Sequence, residues 1–575
     1  MAVKGYFTFV LHAHLPWVLN HGVWPHGMSW LNEASAECYM QLLNELNALL
    51  EDGYTPHLTI GLTPVLCEML INPRFKDGFI VYLQEHVDAA NRDLDQFRSE
   101  NLEVRAKMAQ FWVDWYTKMK DLFVGRYNQD LIGAFKGLQD KDVIEILTCV
   151  ATHGYTPLIP NDECIDAQFK TGVESYMRVF GRAPRGTWLP ECAYRPAYKW
   201  KNPVDNSMPK DRKGVEYFVS KNHLEYFFVD THLLMGGTTQ GIYTDRFRML
   251  GNLYKQYKAN YKPVRTAVPR SPLNPYLVYS PDAITPVAFL TREETTGILV
   301  WSGEVGYPGD GNYLDFHKKH FPGGLRYWRV TGAKLDLGLK EEYVMENTPP
   351  RLDENASHYV STVRKLLLDN YAATGQPGLV CSMYDAELFG HWWFEGTQWM
   401  GRVLRMIQDD PEMQLTTAGK YLDMVPPVDP IALPEGSWGQ GGGHWVWLNE
   451  WTAWTWEKIT ECEKMVMEIA DKYANAAKTD ETLRSITSQL ARELLILEAS
   501  DWQFLISTWS ARDYAEARVV LHYESVLKLY NMANAYAQGG DGAMSTGNWE
   551  FLGRMESEDG LFPEVDIGWW KHQRY

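Results

Sequence analysis

Short apolar runs recur along the chain as far as Gly396, and a polar or aromatic motif follows nearly every one of them. Runs of this length are typical of buried strands, and helical patterns separate most of them. The predicted strands lie at 5–11, 57–62, 143–150, within 186–191, and at 226–229, 298–301 and 379–383. Strands that alternate with helices predict an α/β barrel, with packing residues in the strands and chemistry at their carboxyl ends.

Two regions depart from this alternation. Residues 72–139 are long, charged and mostly helical in pattern, which predicts a helical insertion. After the barrel pattern ends, a Pro-rich linker at 425–434 leads into a helical region. The predicted helical stretches there lie near 457–475, 479–499 and 511–537. We therefore expect a catalytic barrel over 1–408, interrupted by the insertion, and a helical, Trp-rich C-terminal domain over 409–575 that folds back on the barrel.

Two acidic residues stand at the ends of predicted strands that are far apart in the sequence. Asp385 follows the apolar run LVCSM, and Glu191 lies within GTWLPECAYRP. Burying a charged side chain is costly unless it is paired, so a core strand has no use for these acids, although a polar loop with satisfied charges would. Retaining glycosidases place two carboxyl groups about 5–5.5 Å apart, one as nucleophile and one as acid/base. The two acids occupy equivalent places, which favours a shared cleft.

Composition and charge restrict the partners. The formal net charge is -18, which argues against nucleic acid or an anionic membrane as a partner, since both require basic patches. The chain has no apolar run of about 18 residues, so we expect no transmembrane helix. Its seven cysteines are scattered and lack zinc-type spacing. They predict reduced thiols and a cytoplasmic protein. The N-terminal apolar stretch is too short and too histidine-rich for a signal peptide and has no small-residue cleavage site.

Aromatic residues are unusually frequent. The chain has 23 Trp, 32 Tyr and 22 Phe, together 13% of its residues. Aromatic rings in polar, Gly-rich surroundings are suited to stacking on sugar faces, whereas a large core would also use tryptophan for its bulk. Trp301, Trp438 and Trp447 are the better candidates for stacking, whereas Trp451, Trp454 and Trp456 are equally compatible with core packing.

Histidines accompany the acids and leave a second interpretation open. Strand alternation places His12 and His14 on the same side, and His153 and His391 follow other strands. Neutral imidazoles in a sugar site hydrogen-bond hydroxyls, but an HxH pair also suits a metal. A metal-dependent carbohydrate esterase or deacetylase on a similar incomplete barrel therefore remains an alternative. The Gly-rich loop 231–245, with Tyr243 near its tip, is either a mobile lid or a surface loop without a role.

Seven motifs, taken in order, resemble glycoside hydrolase family 57. They are HAHLP (12–16), ATHGYTP (151–157), WLPECAY (188–194), VWSGEVGYPGD (300–310), YDAELFGHWWFEG (384–396), SWGQGGGHWVWLN (437–449) and SDWQF (500–504). The last two resemble the C-terminal part of the family's 1,4-α-glucan branching enzymes. One departure is Thr291-Arg292-Glu293, where the resemblance leads us to expect an Arg-Asp pair.

The resemblance implies an incomplete (β/α)7 barrel with a helical insertion and a helical C-terminal domain. It also implies that Glu191 is the nucleophile and Asp385 the general acid/base. The implied substrate-binding residues are His12, His14, His153, Trp301, Trp438, Trp447, Asp501 and Tyr243, to which we add His391 from its motif. Neither a metal nor another cofactor is implied.

The implied activity is retaining cleavage of an α-1,4-glucan and transfer to a 6-hydroxyl, which makes α-1,6 branches. The expected partners are donor and acceptor chains of amylose or glycogen, with no nucleic acid and no membrane. A related α-amylase or 4-α-glucanotransferase would use the same two acids. A non-catalytic glucan-binding protein is a further alternative from a different class.

Overall fold

The computed structural model describes residues 2–236 and 270–572. Its centre is a set of parallel strands that begin near the amino terminus and end at Asp385. They are β1 (Gly5–Ala13), β2 (Leu58–Leu62), β3 (Ile144–Cys149), β4 (Thr187–Trp188), β5 (Tyr226–Val229), β6 (Ala288–Thr291) and β7 (Gly378–Asp385). Nearly all of their side chains are buried. The apolar runs of the sequence therefore form the interior of the molecule.

The strands are arranged as an incomplete barrel. They run in the order β7-β1-β2-β3-β4, and a parallel bridge between Gly186 and Tyr226 extends this order to β5, which pairs with β6. The amide of Glu293 donates to the carbonyl of Cys381 at 3.2 Å, which places the chain after β6 beside β7. The (β/α)7 fold class is confirmed. All the parallel strands end at one rim, where His12 of β1 lies opposite Asp385 of β7.

The predicted sixth strand was misplaced. Residues 298–301 belong to the helix Glu294–Trp301, whereas β6 uses the preceding apolar segment. The carboxylate of Glu293 caps this helix by accepting the amides of Thr295 and Thr296 at 3.0 and 2.6 Å. A short apolar run is compatible with either a strand or a buried helix, and here the N-terminal cap stabilises the helix. Trp301 therefore ends a helix, not a strand.

Helices cover the barrel strands, and short strands pair at its edges. The helices are Met28–Ala34, which continues through the π turn Ser35–Tyr39 into Met40–Glu51, and Pro64–Ile71, Asp162–Phe180, Val215–Lys221, Thr231–Met235, Glu294–Trp301, Thr348–Thr374, Gly396–Asp409 and Ala418–Met424. The short strands are Tyr198–Trp200, Lys210–Arg212, Tyr276–Val278, Met413–Leu415 and Pro430–Ile431.

The remaining helices form two groups. Between β2 and β3 lie Pro73–Ser99, Glu103–Asp121 with the π turn Leu122–Arg126, and Leu131–Asp140. The C-terminal group comprises Ala453–Ala477, Glu481–Leu497, Asp501–Thr508, Arg512–Gly539 and Thr546–Glu558. Both groups are helical as predicted, and the domain boundaries stay a prediction. Among the described residues, no helix combines the length and apolar character that crossing a bilayer requires.

The C-terminal helices pack directly on the carboxyl ends of the barrel strands. Gly154 and Ala499 form an antiparallel bridge, and the amide of Ser500 donates to the carbonyl of His153 at 3.2 Å. Farther out, the indole of Trp17 donates to Asp559 at 2.7 Å. These contacts place C-terminal residues at the rim where the predicted site residues lie.

Candidate active site

A cavity of about 1050 Å³ opens at the carboxyl ends of the barrel strands. The sequence-predicted site residues that line it are His12, His14, His153, Glu191, Trp301, Asp385, His391, Trp438, Trp447 and Asp501. Tyr243 lies outside the described residues, and the segment predicted as a loop at 231–245 begins with the helix Thr231–Met235. The structure therefore brings every predicted site residue that it describes into one cavity, from both the barrel and the C-terminal half of the chain.

Glu191 lies on a tight turn just after β4. Its φ of 59° is in the left-handed region, which is uncommon for a residue other than glycine. The Trp438 indole donates to its Oε2 at 2.6 Å, and the Trp438 amide donates to its carbonyl at 2.9 Å. Burial raises the pKa of Glu191 to about 7, although the Trp438 hydrogen bond opposes this by stabilising the charged form. The C-terminal segment thus holds this carboxylate in its strained position.

Asp385 is the last residue of β7 and is the second acid of the cavity. Burial raises its pKa well above the usual range, and the nearby carboxylates of Glu191 and Glu387 raise it further. The Arg292 guanidinium opposes that rise. A protonated Asp385 beside an ionisable Glu191 is the state that an acid/nucleophile pair requires.

Three histidines form a cluster beside the acids. Nε2 of His12 and Nε2 of His153 are 3.0 Å apart, and the rings of His14 and His153 stack with centroids 3.9 Å apart. His14 contacts Thr63 through Nδ1 and Asp501 through Nε2, both at 3.0 Å. Burial lowers the pKa of His12 and of His153 well below the usual range. Both rings are therefore neutral at pH 7, and their hydrogen bonds hold the cluster together: His153 contacts His12 through Nε2 and the Ser500 hydroxyl through Nδ1 at 2.9 Å.

The same cluster has donor atoms at a spacing that suits a metal. One donor atom each of His14, His153 and Asp501 lies within 4.8 Å of the others. Two imidazoles and a carboxylate are also a donor set found in zinc enzymes. Two of the relevant ring nitrogens are engaged within the cluster, His14 with Asp501 and His153 with His12. The metal-dependent alternative is therefore a question for chelation experiments.

The aromatic residues differ in how much of their surface reaches the cavity. The ring of Trp438 makes an edge contact with that of Trp188, with centroids 5.0 Å apart. The ring centroid of Trp301 lies 6.0 Å from that of Trp438. Trp447 is only 1% exposed and stacks on Tyr155 at 4.3 Å. Trp438 and Trp301 are therefore placed to contact a sugar face, while most of Trp447 packs the wall behind them.

His391 and Glu387 have structural partners as well as a place on the cavity wall. Nδ1 of His391 contacts Glu37 at 2.7 Å. Glu387 accepts hydrogen bonds from the Tyr39 hydroxyl at 2.5 Å and the His14 amide at 3.1 Å. The carboxylate of Glu387 therefore fixes the strand end that carries His14, a role that the motif alone did not indicate.

Several lining residues were not predicted from the sequence. Arg292 pairs with Asp230 at 2.8 Å and lies over the Trp438 ring at 5.6 Å. Trp30 and Phe504 also line the cavity. The only signal for Arg292 was that Thr291-Arg292-Glu293 differs from the sequence expected for the family. Trp30 was one of several tryptophans in a segment that the sequence suggested was a polar loop.

An incomplete (β/α)7 barrel with paired acids, neutral histidines and tryptophans in one cavity is the architecture of a carbohydrate-cleaving enzyme. The chain belongs to glycosyl hydrolase family 57, whose model matches residues 8–434. A second model, described as the C-terminal part of 1,4-alpha-glucan branching enzyme, matches residues 458–570. The family predicted from the motifs is confirmed.

Three relatives resemble the chain over nearly its whole length. A 1,4-alpha-glucan branching enzyme of Thermococcus kodakarensis is 37% identical over 567 residues, which are 98% of this chain and 78% of that protein. Its crystal structure, in complex with glucose, matches with a TM-score of 0.89 and covers 100% of this chain and 97% of that one. The branching enzyme structure of Pyrococcus horikoshii matches at 0.86, with 38% identity and coverages of 100% and 98%. An alpha-amylase of Thermotoga maritima matches at 0.78, with 25% identity and coverages of 99% and 100%.

Proposed function

We propose that this protein is a 1,4-α-glucan branching enzyme, which cleaves an α-1,4-glucan with retention and transfers the released chain to a 6-hydroxyl. The observation that carries the proposal is that two partly buried acids share one cavity with residues of the C-terminal half of the chain. The relatives named 1,4-alpha-glucan branching enzyme, and the C-terminal family model, support the same activity.

In the first step, the carboxylate of Glu191 attacks the anomeric carbon of the scissile sugar. The carboxyl proton of Asp385 passes to the departing glycosidic oxygen, and a β-linked glycosyl-enzyme forms. The Trp438 indole and the nearby His14 favour the charged form of Glu191. The negative charge of Glu191 in turn keeps the proton on Asp385. The two acids therefore titrate as a pair.

In the second step, the 6-hydroxyl of an acceptor chain attacks the glycosyl-enzyme. Once Glu191 carries the sugar it has no charge, so the pKa of Asp385 falls and its carboxylate removes the hydroxyl proton. The new α-1,6 bond forms as the bond to Glu191 breaks. Asp385 is then protonated and Glu191 is again a carboxylate, as at the start of the cycle. Two inversions at the anomeric carbon give net retention.

Transfer must compete with water, which is present at about 55 M, and only a bound, well-oriented acceptor has that advantage. The C-terminal region supplies cavity-lining residues that a barrel alone would lack, among them Trp438, Val446 and Phe504. We propose that these C-terminal residues exclude water from the cavity and hold the acceptor chain.

The proposed substrates are donor and acceptor chains of a neutral α-glucan such as amylose or glycogen. We also propose a cytoplasmic location and no nucleic-acid partner. The seven cysteines are all free and buried, which suits a reducing compartment.

The proposal is tested with purified protein on amylose, followed by isoamylase digestion and a reducing-end count at each stage. Few new ends before debranching and many after it are expected. Many ends before debranching and none added by isoamylase would instead mean an α-amylase, a second candidate that the similar fold of the Thermotoga maritima enzyme favours.

A further inference from the structure

Trp509 lies outside the cavity but beside its wall. The helix Asp501–Thr508 begins with a cavity-lining aspartate, and Trp509 directly follows its last residue. Phe504 and Leu505 on this helix line the cavity, as do Ser510 and Ala511 just after Trp509. Trp509 therefore stands between residues of the cavity wall, while its own side chain does not line the cavity.

The backbone and the exposure of Trp509 are both unfavourable. Its φ of 60° and ψ of 19° are left-handed, a conformation that a helix end usually gives to glycine or asparagine. The side chain is also 48% exposed. Folding alone gives no reason for tryptophan here, because glycine would remove both the backbone strain and the exposed apolar surface. Strain of this kind concentrates at functional positions.

The exposed ring is held in one orientation. The Arg512 guanidinium lies 4.7 Å from its centroid, and Trp451 contacts it edge-on at 5.8 Å. Nε of Arg512 also donates to Glu516 at 2.7 Å, which fixes the guanidinium. A ring that is ordered before binding loses little entropy when it stacks on a sugar.

We propose that Trp509, with Trp451 and Arg512, forms an outer binding site for an α-1,4-glucan chain, beyond the cavity that holds the reacting sugars. The inference rests on the proposed function, because it takes the same neutral polymer as ligand. Continuity with the cavity wall at Ser510 supports this ligand, since a polymer bound in the cavity must extend past its rim.

The test compares Trp509→Gly and Trp509→Ala with Tyr279→Ala by affinity electrophoresis in gels that contain amylose. Tyr279 is 64% exposed and does not line the cavity, so it is a matched surface aromatic. We expect both Trp509 variants to bind amylose about three- to tenfold more weakly. The control should bind as the wild type does. The Tm of Trp509→Gly should be equal to or above that of the wild type, because glycine relieves the left-handed strain.

Unchanged retardation of both Trp509 variants would overturn the proposal. A fall of both Tm and affinity in both variants would also overturn it, since the ring would then be structural. Affinity electrophoresis requires no turnover, so the two proposals fail separately. If the wild type makes no branches but its affinity depends on Trp509, the proposed function fails and the outer site stands. If the wild type branches amylose and the variants bind normally, only the outer site fails.

Discussion

Two pairs of acids in this protein have raised pKa values, one pair partly buried at a cavity and the other fully enclosed. Glu191 and Asp385 line the cavity of about 1050 Å³. Glu463 and Glu498 are enclosed between the helix Asp162–Phe180 and the C-terminal helices, and both are 0% exposed. Burial raises the pKa of Glu191 to about 7 and that of Glu463 to about 7 as well. The titration behaviour of a carboxyl group therefore does not by itself distinguish the two pairs.

The enclosed pair joins the two halves of the chain. Asn161 donates its amide and its side-chain nitrogen to Glu463 at 3.0 and 2.7 Å, and Gln168 donates to Glu498 at 2.7 Å. A carboxylate oxygen of each acid lies within 4.8 Å of the other and of the Cys164 sulfur. Two carboxyl groups this close and this buried retain a proton between them. A carboxyl group with a raised pKa can therefore take part in catalysis only where a substrate can reach it.

The largest expected effect is a loss of catalytic activity, which should occur when an acid of the cavity is replaced and not when an enclosed acid is replaced. Glu191→Gln and Asp385→Asn should each lower kcat on amylose about 10³-fold or more, because each removes a group that bonds to or protonates the reacting sugar. Glu463→Gln should leave kcat within about twofold, since its carboxylate reaches no substrate. Reducing-end counts before and after isoamylase measure all three. Near-native rates in the Glu191 or Asp385 variants would show that the acids are wrongly assigned.

Protonation of the two pairs should affect the stability of the fold in the same direction. The pKa of Glu463 is raised from 4.5 to about 7 in the folded protein, so the folded state binds more protons between these values. Its stabilising contribution is complete below pH 4.5 and is lost as the pH rises through 7. Glu463→Gln should make the fall in unfolding free energy between pH 4.5 and 8 smaller.

Urea unfolding at a series of pH values measures this dependence. Glu191→Gln should change the pH dependence in the same direction, because burial raises that pKa too. Lys210 and Arg212 also face Glu463 and would lessen the effect by favouring its charge. Parallel stability curves for Glu463→Gln and the wild type would contradict the raised pKa.

A smaller effect on activity is expected when the hydrogen bond that lowers the pKa of Glu191 is removed. Trp438→Phe removes the indole that donates to Glu191, so the pKa of Glu191 should rise further. The acid limb of the kcat/KM profile should move up by about one pH unit, with about fivefold lower activity at pH 7. Trp454→Phe, at a tryptophan that does not line the cavity, is the control. A loss of activity without movement of the acid limb would assign Trp438 to substrate stacking only.

The smallest expected effect is that of chelation. Dialysis against EDTA should change branching activity by less than about twofold, because the cluster nitrogens of His14 and His153 have hydrogen-bond partners within the cavity wall. A large loss that zinc restores would place a metal on His14, His153 and Asp501. That result would favour the metal-dependent alternative.

Much of the fold could be predicted because its signals are local. Apolar runs matched buried strands at six of the seven predicted positions, and the polar motifs after them identified the cavity residues. Parallel strands deliver their carboxyl ends to one rim, so residues as distant as His12 and Asp385 become neighbours without further information. Trp438 and Trp447 were candidates from their Gly-rich surroundings, and the family resemblance added Asp501.

Other features depend on contacts between segments that are distant in the sequence. The helix at 294–301 required the Glu293 cap to be seen, and the bond from Trp438 to Glu191 joins residues that no local pattern connects. The enclosed Glu463 and Glu498 lie on predicted helices and gave no signal as a pair. Burial and neighbouring charge set their pKa values, and both are properties of packing. The positions of most strands and the candidate site residues can therefore be predicted from the sequence. The pKa of each acid is determined only by the folded structure, because it depends on burial and on neighbouring charges.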